Sequence, residues 1–499
     1  MSASSELVQM EGPLFEAVQL AGVFPDSKTF VDSTPKRSPE SILQLYESLK
    51  DEPGFDLKAF VHEHFELPRP FEADSELALD SSSLESYIES LWPRLRREPE
   101  DADKHSTLIE LEHPYIVPGG RFGEIFYWDS YFTFLGLLEA GHVDMVENMV
   151  ANFAYLQAEL GLIPNGNRHY FATRSQPPYL ALMLRLLWDA KYTHLPKKVG
   201  LEFLERYVDV LEAERSFWLV PDRLTVLNGG HLLNHYWDTA ATPRQEAYRE
   251  DVETASNSPD PAALYRHLRA GAESGWDFSS RWLRESGELS SIRAADILPV
   301  DLNCLLYALE ETLADFYDKL GKAEDAARFQ VDAERRKTAI QQIFWNEEVG
   351  FYFDFDTKMD AQTGVFSLAA VLPLFVQLAT PEQAARVREV LMERFLEQGG
   401  LVCTLSDTGQ QWDAPNGWAP LQWLAVQGLR NYGFEPEAKD IATRWLEMIR
   451  ARFARDKKLL EKYDVINPEV EPGGGEYAVQ EGFGWTNGVT LKLLRLYGS

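Results

Sequence analysis

Asp277 is the carboxyl group in the most unusual local setting. It lies between Trp276 and Phe278, two serines follow, and the nearest basic residue downstream is Arg281. A carboxyl group held between aromatic side chains should retain its proton more readily, as a general acid requires. An Asp followed by Ser-Ser-Arg-Trp can instead cap the start of a helix. The residues by themselves support both interpretations equally.

A second carboxylate for acid–base chemistry is harder to recognise. Glu461 lies in the segment LLEKYD at residues 459–464, where a solvent-exposed Glu–Lys pair is the simplest interpretation. Glu476 follows three glycines, which allow the backbone to come close to a ligand. The residues by themselves single out neither glutamate as the base.

Residues 118–132, PGGRFGEIFYWDSYF, combine a turn with charged and aromatic side chains. Arg121, Glu124, Trp128 and Asp129 stand among five aromatic residues, and a helical pattern begins behind them. Such a mixture suits a wall that stacks on a flat face and forms hydrogen bonds around its edge. The alternative is a tight turn that leads into a core helix.

Three arginines, Arg121, Arg174 and Arg244, have proline or glycine neighbours and do not lie on charged helix faces. Each offers five donors in a planar fork and can bridge two hydroxyl groups or orient a carboxylate. Each could instead anchor a loop through an ion pair, and Arg244 with Glu246 is the clearest case.

The segment QWDAPNGWAP at residues 411–420 has the same character as residues 118–132, and together they resemble the paired signatures of the trehalases. Trehalases are glycoside hydrolases that split α,α-trehalose into two glucoses. Trp412 and Trp418 of this second signature are candidate stacking faces, although either could belong to the core. The resemblance runs from about Gly12 to the C-terminus and includes five further segments: 163–166 (IPNG), 174–178 (RSQPP), 243–246 (PRQE), 274–280 (SGWDFSS) and 473–477 (GGGEY).

The resemblance implies an inverting α,α-trehalase that needs no metal and no other cofactor. It assigns the general acid to Asp277 and the general base to Glu461, which precedes Glu476 by fifteen residues as in the family. Glu476 would take the role of base if Glu461 faced solvent. The sugar-binding positions that the resemblance implies are Arg121, Trp128, Asp129, Asn165, Arg174, Gln176, Arg244, Glu246, Gly275 and Glu476.

Two other functions remain open. The chain could be a glycosidase of similar barrel fold that acts on a different disaccharide, since fold and aromatic residues do not specify the sugar. It could also be a sugar sensor without catalytic activity, although a binding protein needs no acid–base pair. Release of glucose from trehalose separates these possibilities.

Amphipathic helical patterns follow one another at short intervals along most of the chain. One helix is expected at residues 83–97, and the others at roughly 131–160, 177–193, 200–216, 262–270, 302–321, 324–345, 366–378, 381–397, 417–432, 435–454 and 486–497. Alternating strand patterns are few, and the best of them is residues 351–356, which could be one arm of a short hairpin. The pattern favours a closed ring of helical hairpins, and the resemblance identifies that ring as an all-α (α/α)6 barrel. Loops at one end of such a ring meet in a single pocket.

The expected domain organisation is an irregular N-terminal arm at residues 1–75 that packs on a catalytic barrel at residues 76–499. The chain has 79 acidic and 48 basic residues, a net charge of −31 that disfavours nucleic acid and anionic membranes as partners. Without a signal peptide or a long apolar run, we expect a soluble, cytoplasmic monomer with a small-molecule substrate.

Metal and thiol chemistry find little support. Cys304 and Cys403 lie in apolar segments and are expected to be buried free thiols. The ten histidines form no His-Glu-x-x-His pattern, and His62 and His64 are expected to face solvent. We therefore expect no metal site.

Overall fold

The computed structural model describes residues 7–68, 79–99, 104–284 and 287–498 of the chain. The α-helices of these residues are α1 (Pro13–Leu20), α2 (Lys28–Val31), α3 (Pro39–Leu49), α4 (Leu57–His64), α5 (Leu84–Leu95), α6 (Tyr127–Glu139), α7 (Val143–Leu160), α8 (Leu180–Ala190), α9 (Lys197–Trp218), α10 (Tyr248–Ala255), α11 (Pro261–Glu273), α12 (Val300–Lys319), α13 (Ala323–Ile343), α14 (Leu372–Phe375), α15 (Pro381–Val390), α16 (Ala419–Asn431), α17 (Glu435–Asp456) and α18 (Gly484–Tyr497).

The strands are two or three residues long and pair in small antiparallel sheets. They are β1 (Thr34–Pro35), β2 (Phe65–Glu66), β3 (Arg96–Arg97), β4 (Tyr115–Ile116), β5 (Leu224–Val226), β6 (Leu232–Asn234), β7 (Ile297–Leu298), β8 (Trp345–Asn346), β9 (Phe351–Tyr352), β10 (Phe355–Asp356), β11 (Ala361–Gln362), β12 (Leu396–Glu397), β13 (Gly400–Leu401), β14 (Asn416–Trp418) and β15 (Lys462–Asp464). β7, β10 and β11 form a three-stranded sheet with β10 in the centre, and the others pair two by two.

Six helices form an inner ring: α6, α8, α12, α14, α16 and α18. Each packs on the next in this order, and α18 packs on α6 to close the ring. α6, α12, α16 and α18 are buried around most of their circumference, as expected for helices enclosed by other helices. α7, α9, α13 and α17 cover the ring from outside, and α5 packs on α18. The predicted (α/α)6 barrel is confirmed.

The helix predicted at residues 131–160 is two helices, α6 and α7. The chain turns between them at Gly141, whose φ of 81° requires a left-handed backbone that glycine adopts without strain. A second correction concerns residues 366–378, where a 3₁₀ turn (Leu368–Val371) leads into the single turn α14. In residues 381–397, α15 ends at Val390 and a π-helical turn follows.

The N-terminal segment is helical, and the prediction of an irregular arm is wrong for residues 7–68. Its prolines misled the prediction because Pro13 and Pro39 occupy first helical positions, where the missing N–H has no helical partner to lose. The Ser38 and Asp56 side chains cap α3 and α4. The predicted domain boundary near residue 75 lies within residues 69–78, which are outside the described residues, so it stays a prediction.

A cluster of buried apolar side chains joins this segment to the barrel. Phe15, Phe30 and Phe60 pack with Phe126 and Phe171 of the barrel loops in a common buried group. Through Phe126, the arm therefore contacts the segment 118–132 that was singled out from the sequence.

The histidine and cysteine predictions fared differently. His62 is exposed as expected, but His64 is buried against the Phe60 ring, 4.5 Å between centroids, and desolvation lowers its pKa. Residues two apart on a helix face different directions, so the exposure of His62 does not predict the exposure of His64. Cys304 and Cys403 are buried and free, as predicted. In the described part of the chain, no helix is both long and apolar enough to cross a membrane.

Candidate active site

The predicted motifs meet in one pocket with an empty volume of about 880 Å³. Trp128 and Asp129 enter it from the first turn of α6, Trp485 enters from the first turn of α18, and Trp418 directly precedes α16. The N-terminal ends of three inner helices thus point towards the same space. All the predicted site residues except Glu461 line it: Arg121, Trp128, Asp129, Asn165, Arg174, Gln176, Arg244, Glu246, Gly275, Asp277 and Glu476.

Asp277 lies in the loop that follows α11. Gly275 begins this loop with a φ of 74°, and a Cβ there would lie 2.7 Å from the Trp128 ring. Burial and, to a smaller extent, the nearby Glu476 carboxylate raise the pKa of Asp277 to about 7 against the opposing charge of Arg244. This carboxyl group can therefore hold a proton near neutral pH, as a proton donor must.

Asp413 of the second signature holds the Asp277 loop in place. Its fully buried carboxylate accepts hydrogen bonds from Ser279 Oγ at 2.9 Å and from the Ser280 N–H and Oγ at 2.8 and 2.7 Å. The neighbouring Trp412 N–H donates to the Phe278 carbonyl oxygen at 3.0 Å. Ser279 caps the short 3₁₀ turn that follows, so the capping role considered for Asp277 belongs to Ser279.

Glu461 is fully buried, and the interpretation of an exposed Glu–Lys pair is wrong. The strand β15, which follows it, pairs with β14 inside the barrel mouth, so Lys462 is buried as well. The Glu461 backbone is held by the Gln480 carbonyl at 3.0 Å and by Trp485 Nε1 at 2.9 Å. Both carboxylate oxygens lack a hydrogen-bond partner among the described residues.

Burial is also the main influence on the proton affinity of Glu461. Burial, with a smaller contribution from the Asp277 charge, raises the pKa of Glu461 to about 8, and Lys462 gives the strongest opposing effect. Asp129 has a pKa well above its usual range for the same reason, and Asp277 and Glu461 raise it further. The three carboxyl groups thus interact electrostatically within one site.

Two of the arginines are held by carboxylates. Arg174 donates from Nη2 to Glu246 Oε1 at 2.6 Å and from Nε to Asn165 Oδ1 at 2.9 Å. Arg244 donates to Asp251 at 2.6 Å and to Glu476 at 2.9 Å. The ion pair considered between Arg244 and Glu246 is therefore replaced by these two pairs.

These ion pairs leave some polar atoms free for a ligand. Burial opposes ionisation of Glu246, but Arg174 and two further arginines outweigh it and lower its pKa. Arg174 Nη1 and Glu246 Oε2 have no hydrogen-bond partner in the described part of the chain. A donor and an acceptor on one pocket wall can hold hydroxyl groups of a sugar.

Arg121 lies over the ring of Tyr477, with 4.8 Å between the guanidinium carbon and the ring centroid. Its Nη2 is 3.5 Å from Asp26 Oδ1, and its backbone N–H donates to Gln480 Oε1 at 2.7 Å. The turn at residues 118–132 is thus fastened on one side to the arm and on the other to the loop after β15.

The tryptophans form a stacked wall. Trp412 and Trp418 are parallel within 2°, with 4.0 Å between centroids, and Trp276 continues the stack at 5.3 Å. Trp128 lies 5.6 Å from Trp412. Trp412 and Trp418 both line the pocket, so each belongs to the core and to the wall at once.

Sequence reasoning missed the residues that the arm contributes. Asp26, Ser27 and Lys28 line the pocket, and Ser27 Oγ donates to Glu250 Oε2 at 2.8 Å across it. Lys28 is buried between Asp32 and Glu124. The only available signal was a charged DSK segment next to apolar residues, which is indistinguishable from an ordinary surface turn.

Among the described residues, no three His, Cys, Asp or Glu side chains are grouped as a metal site would require. A helical barrel whose pocket is lined by stacked tryptophans and by the interacting carboxyl groups of Asp129 and Asp277 is suited to cutting the bond between two sugars. The fold and the site thus define a glycoside hydrolase. More narrowly, the chain belongs to the trehalase family, whose model matches residues 22–498.

Solved structures are consistent with this membership. The neutral trehalase Nth1 from Saccharomyces cerevisiae is similar at 27% identity and a TM-score of 0.68, over 92% of this chain and 85% of that one. A GH63 mannosylglycerate hydrolase from Thermus thermophilus, at 18% identity and a TM-score of 0.57, matches 82% of this chain and 99% of its own. At that identity the second likeness shows the fold alone.

Proposed function

We propose that Asp277 and Glu461 are the acid and the base with which this enzyme hydrolyses α,α-trehalose into two glucoses. The observation that carries the assignment is electrostatic. Burial is the main cause that raises the pKa of Asp277 to about 7 and that of Glu461 to about 8, and the Asp277 charge disfavours ionisation of Glu461. Between these values the pair tends to hold one proton, mostly on Glu461, and the reactive form is the one in which Asp277 holds the proton and Glu461 is ionised.

Catalysis by inversion moves two protons in one step. Water attacks one anomeric carbon from the face opposite the bridging oxygen, and Glu461 takes a proton from that water. Asp277 gives its proton to the bridging oxygen as the bond to the attacked carbon breaks. The attacked ring leaves as β-glucose, and the other ring leaves as α-glucose because its own anomeric carbon is untouched.

The remaining pocket residues would bind the two sugars. Arg121 Nε and Glu246 Oε2 have no hydrogen-bond partner among the described residues, and Arg174 Nη1 has only the Asp238 carboxylate at 3.8 Å, so these atoms are suited to hydroxyl groups. Trp128 and the stacked tryptophans would cover the apolar faces of the rings. Asp129, Asn165, Gln176, Arg244, Gly275 and Glu476 complete the proposed binding set.

The anomers released first test the stereochemistry. Proton NMR in the first minutes of digestion should show α- and β-glucose in equal amounts, before mutarotation mixes them. A retaining enzyme would release only α-glucose at first, and that result would exclude Glu461 as a base acting through water.

Two isosteric variants test the residue assignments. Asp277→Asn and Glu461→Gln should fold normally and lose about a hundred- to ten-thousand-fold in turnover. Asp407→Asn and Glu469→Gln, at exposed positions in neighbouring loops, are matched controls and should keep wild-type turnover. A folded Asp277→Asn with more than a tenth of wild-type turnover would refute the assignment.

The substrate assay also addresses the other functions. An enzyme for a different disaccharide would release sugar faster from that compound than from trehalose, and a sensor would bind trehalose without cleaving it. We expect trehalose to give the highest kcat/KM among glucose disaccharides.

We further infer that the protein is a cytoplasmic monomer without nucleic-acid or membrane partners. The two cysteines are buried free thiols and the net charge is −31. Light scattering coupled to size-exclusion chromatography should give a mass close to the 56.9 kDa of the chain.

A further inference from the structure

Lys462 is a fully buried lysine beside the proposed base. Its Nζ donates to Gln411 Oε1 at 2.9 Å and to the Gly474 carbonyl oxygen at 3.0 Å, and it lies 5.3 Å from the centroid of the Trp418 ring. Both acceptors are neutral, so these contacts orient the ammonium group without neutralising it. Burying a charge in this way costs free energy unless a favourable interaction with another group offsets the loss of hydration.

Gln411 connects this lysine to the proposed acid. Its Nε2 donates to the backbone carbonyl oxygen of Asp277, while its Oε1 accepts from Lys462. A Cβ at Gly475 would lie 2.6 Å from Gln411 Oε1, so the glycine-rich loop closes directly over this amide. One side chain therefore joins the segment of the acid to the lysine that follows the base.

The charges around this group favour an ionised Lys462. Burial is the largest influence and lowers the pKa of Lys462, and the charges of Glu461, Asp277 and Cys403 offset this only in part. Around Glu461 the facing groups are Lys462 and Arg121, which favour its ionised form, and Asp277, which disfavours it. Asp129 and Tyr477 also respond to the Glu461 charge.

We propose that Lys462 and Gln411 are positioning residues for the reaction. Gln411 holds the Asp277 segment at a set distance from β15, and the positive charge of Lys462 keeps Glu461 available as a base. The proposal rests on the acid and base roles assigned above, and neither residue needs to touch the sugar.

Removal of the Lys462 charge has a defined consequence. Glu461 would bind its proton more tightly. Because the pKa of Glu461 (about 8) lies above that of Asp277 (about 7), the alkaline limb of the kcat/KM profile follows the loss of the Glu461 proton, and it would move to higher pH. Near neutral pH, each unit of rise would lower about tenfold the fraction of enzyme that has Glu461 ionised and Asp277 protonated. If Lys462 were purely structural, its replacement would lower the stability of the fold and leave the alkaline limb in place.

The test compares pH profiles of kcat/KM for wild type, Lys462→Met, Lys462→Arg and the control Lys458→Met. Lys458 lies four residues away and pairs with Glu481 at the surface. In Lys462→Met we expect the alkaline limb to rise by at least half a unit and kcat/KM to fall severalfold. Lys462→Arg and Lys458→Met should leave the limb where it is.

Failures of the two proposals are distinguishable. A wild-type profile without two limbs would undermine the acid–base pair itself. A two-limbed wild type together with a folded Lys462→Met whose limb has not moved would overturn only the role of Lys462.

Gln411→Met is a second test, which remains informative if Lys462→Met does not fold. It should lower kcat about tenfold or more while KM changes less than twofold, because the Asp277 segment loses its brace. A folded Gln411→Met with wild-type kcat would refute the proposal.

Discussion

Glu214 offers a stability prediction whose size follows from its environment. The residue lies in α9 with an exposed fraction of 2%, and Tyr127 at the start of α6 donates a hydrogen bond to its Oε1. Tyr127 in turn accepts from the backbone N–H of Leu180, the first residue of α8, at 2.7 Å. The other carboxylate oxygen of Glu214, Oε2, has no partner among the described residues. Burial raises the pKa of Glu214 to about 8, against an ordinary value of 4.5.

Proton linkage gives the direction in which the stability of the fold changes with pH. The unfolded chain loses the Glu214 proton near pH 4.5, whereas the folded chain keeps it until about pH 8. Between these values stability falls as pH rises, because the folded state holds a proton that the unfolded state has released. With about 1.36 kcal/mol for each unit, the cost is about 3 kcal/mol at pH 7 and about 5 kcal/mol above pH 8.

Glu214→Gln removes this cost. A neutral amide resembles the protonated carboxyl group, so the variant and the wild type should be about equally stable below pH 4.5. At pH 7 the variant should be more stable by about 3 kcal/mol, which corresponds to a melting temperature about 3 °C higher for a chain of this size. The other carboxyl groups titrate in both proteins, so their effects cancel in the difference.

The assay is thermal unfolding by circular dichroism from pH 4 to 8.5. Glu310→Gln is the contrasting control, since Glu310 is buried but pairs with Arg336 at 2.9 Å and Arg215 at 3.1 Å. Loss of its charge should destabilise the fold, by about 3–5 kcal/mol. The reasoning is refuted if the difference between Glu214→Gln and wild type does not change with pH, or if the variant is the less stable at pH 7.

Three further predictions concern the active site. The wild-type kcat/KM should be bell-shaped and greatest between about pH 7 and 8, because acid protonates the base and alkali deprotonates the acid; a plateau extending to pH 5 would contradict the pKa values of Asp277 and Glu461. Gly275→Ala should destabilise the fold by about 1–2 kcal/mol and raise KM, since its φ is 74° and its Cβ would lie 2.7 Å from Trp128; unfolding and kinetics with unchanged values would show that the loop adapts. Dialysis against a strong chelator should leave turnover unchanged, and a loss restored by Ca²⁺ or Zn²⁺ would reveal a metal site.

Much of the barrel could be predicted because its information is local. Periodic apolar residues in 324–345 correspond to α13, and Ser83 caps α5 as its position suggested. Turns are also local, yet the break at Gly141 between α6 and α7 was missed because apolar residues continue on both sides of it. The arm was misjudged for a related reason, since proline starts helices as readily as it ends them.

The site depended on distant partners. The setting of Asp277 between two aromatic residues is visible in the sequence, and its raised pKa agrees with that local cue. No local pattern distinguishes the buried Glu461 from a surface glutamate, and only the resemblance to trehalases pointed to it. Asp26, Ser27 and Lys28 line the same pocket as Arg121, although more than ninety residues of chain separate them from it. Composition cannot reveal such a contact.

The sequence by itself determined the helical periods, the family and the identity of the residues proposed for chemistry, because these depend on neighbours along the chain. Tertiary structure alone decided which of those residues lie together and how they ionise. Asp413 anchors the Asp277 loop from 136 positions away, and Arg174 takes the carboxylate expected for Arg244. Proton affinity depends on burial and on charges nearby in space. Both appear only when the ring of helices closes and brings separate loops together around one pocket.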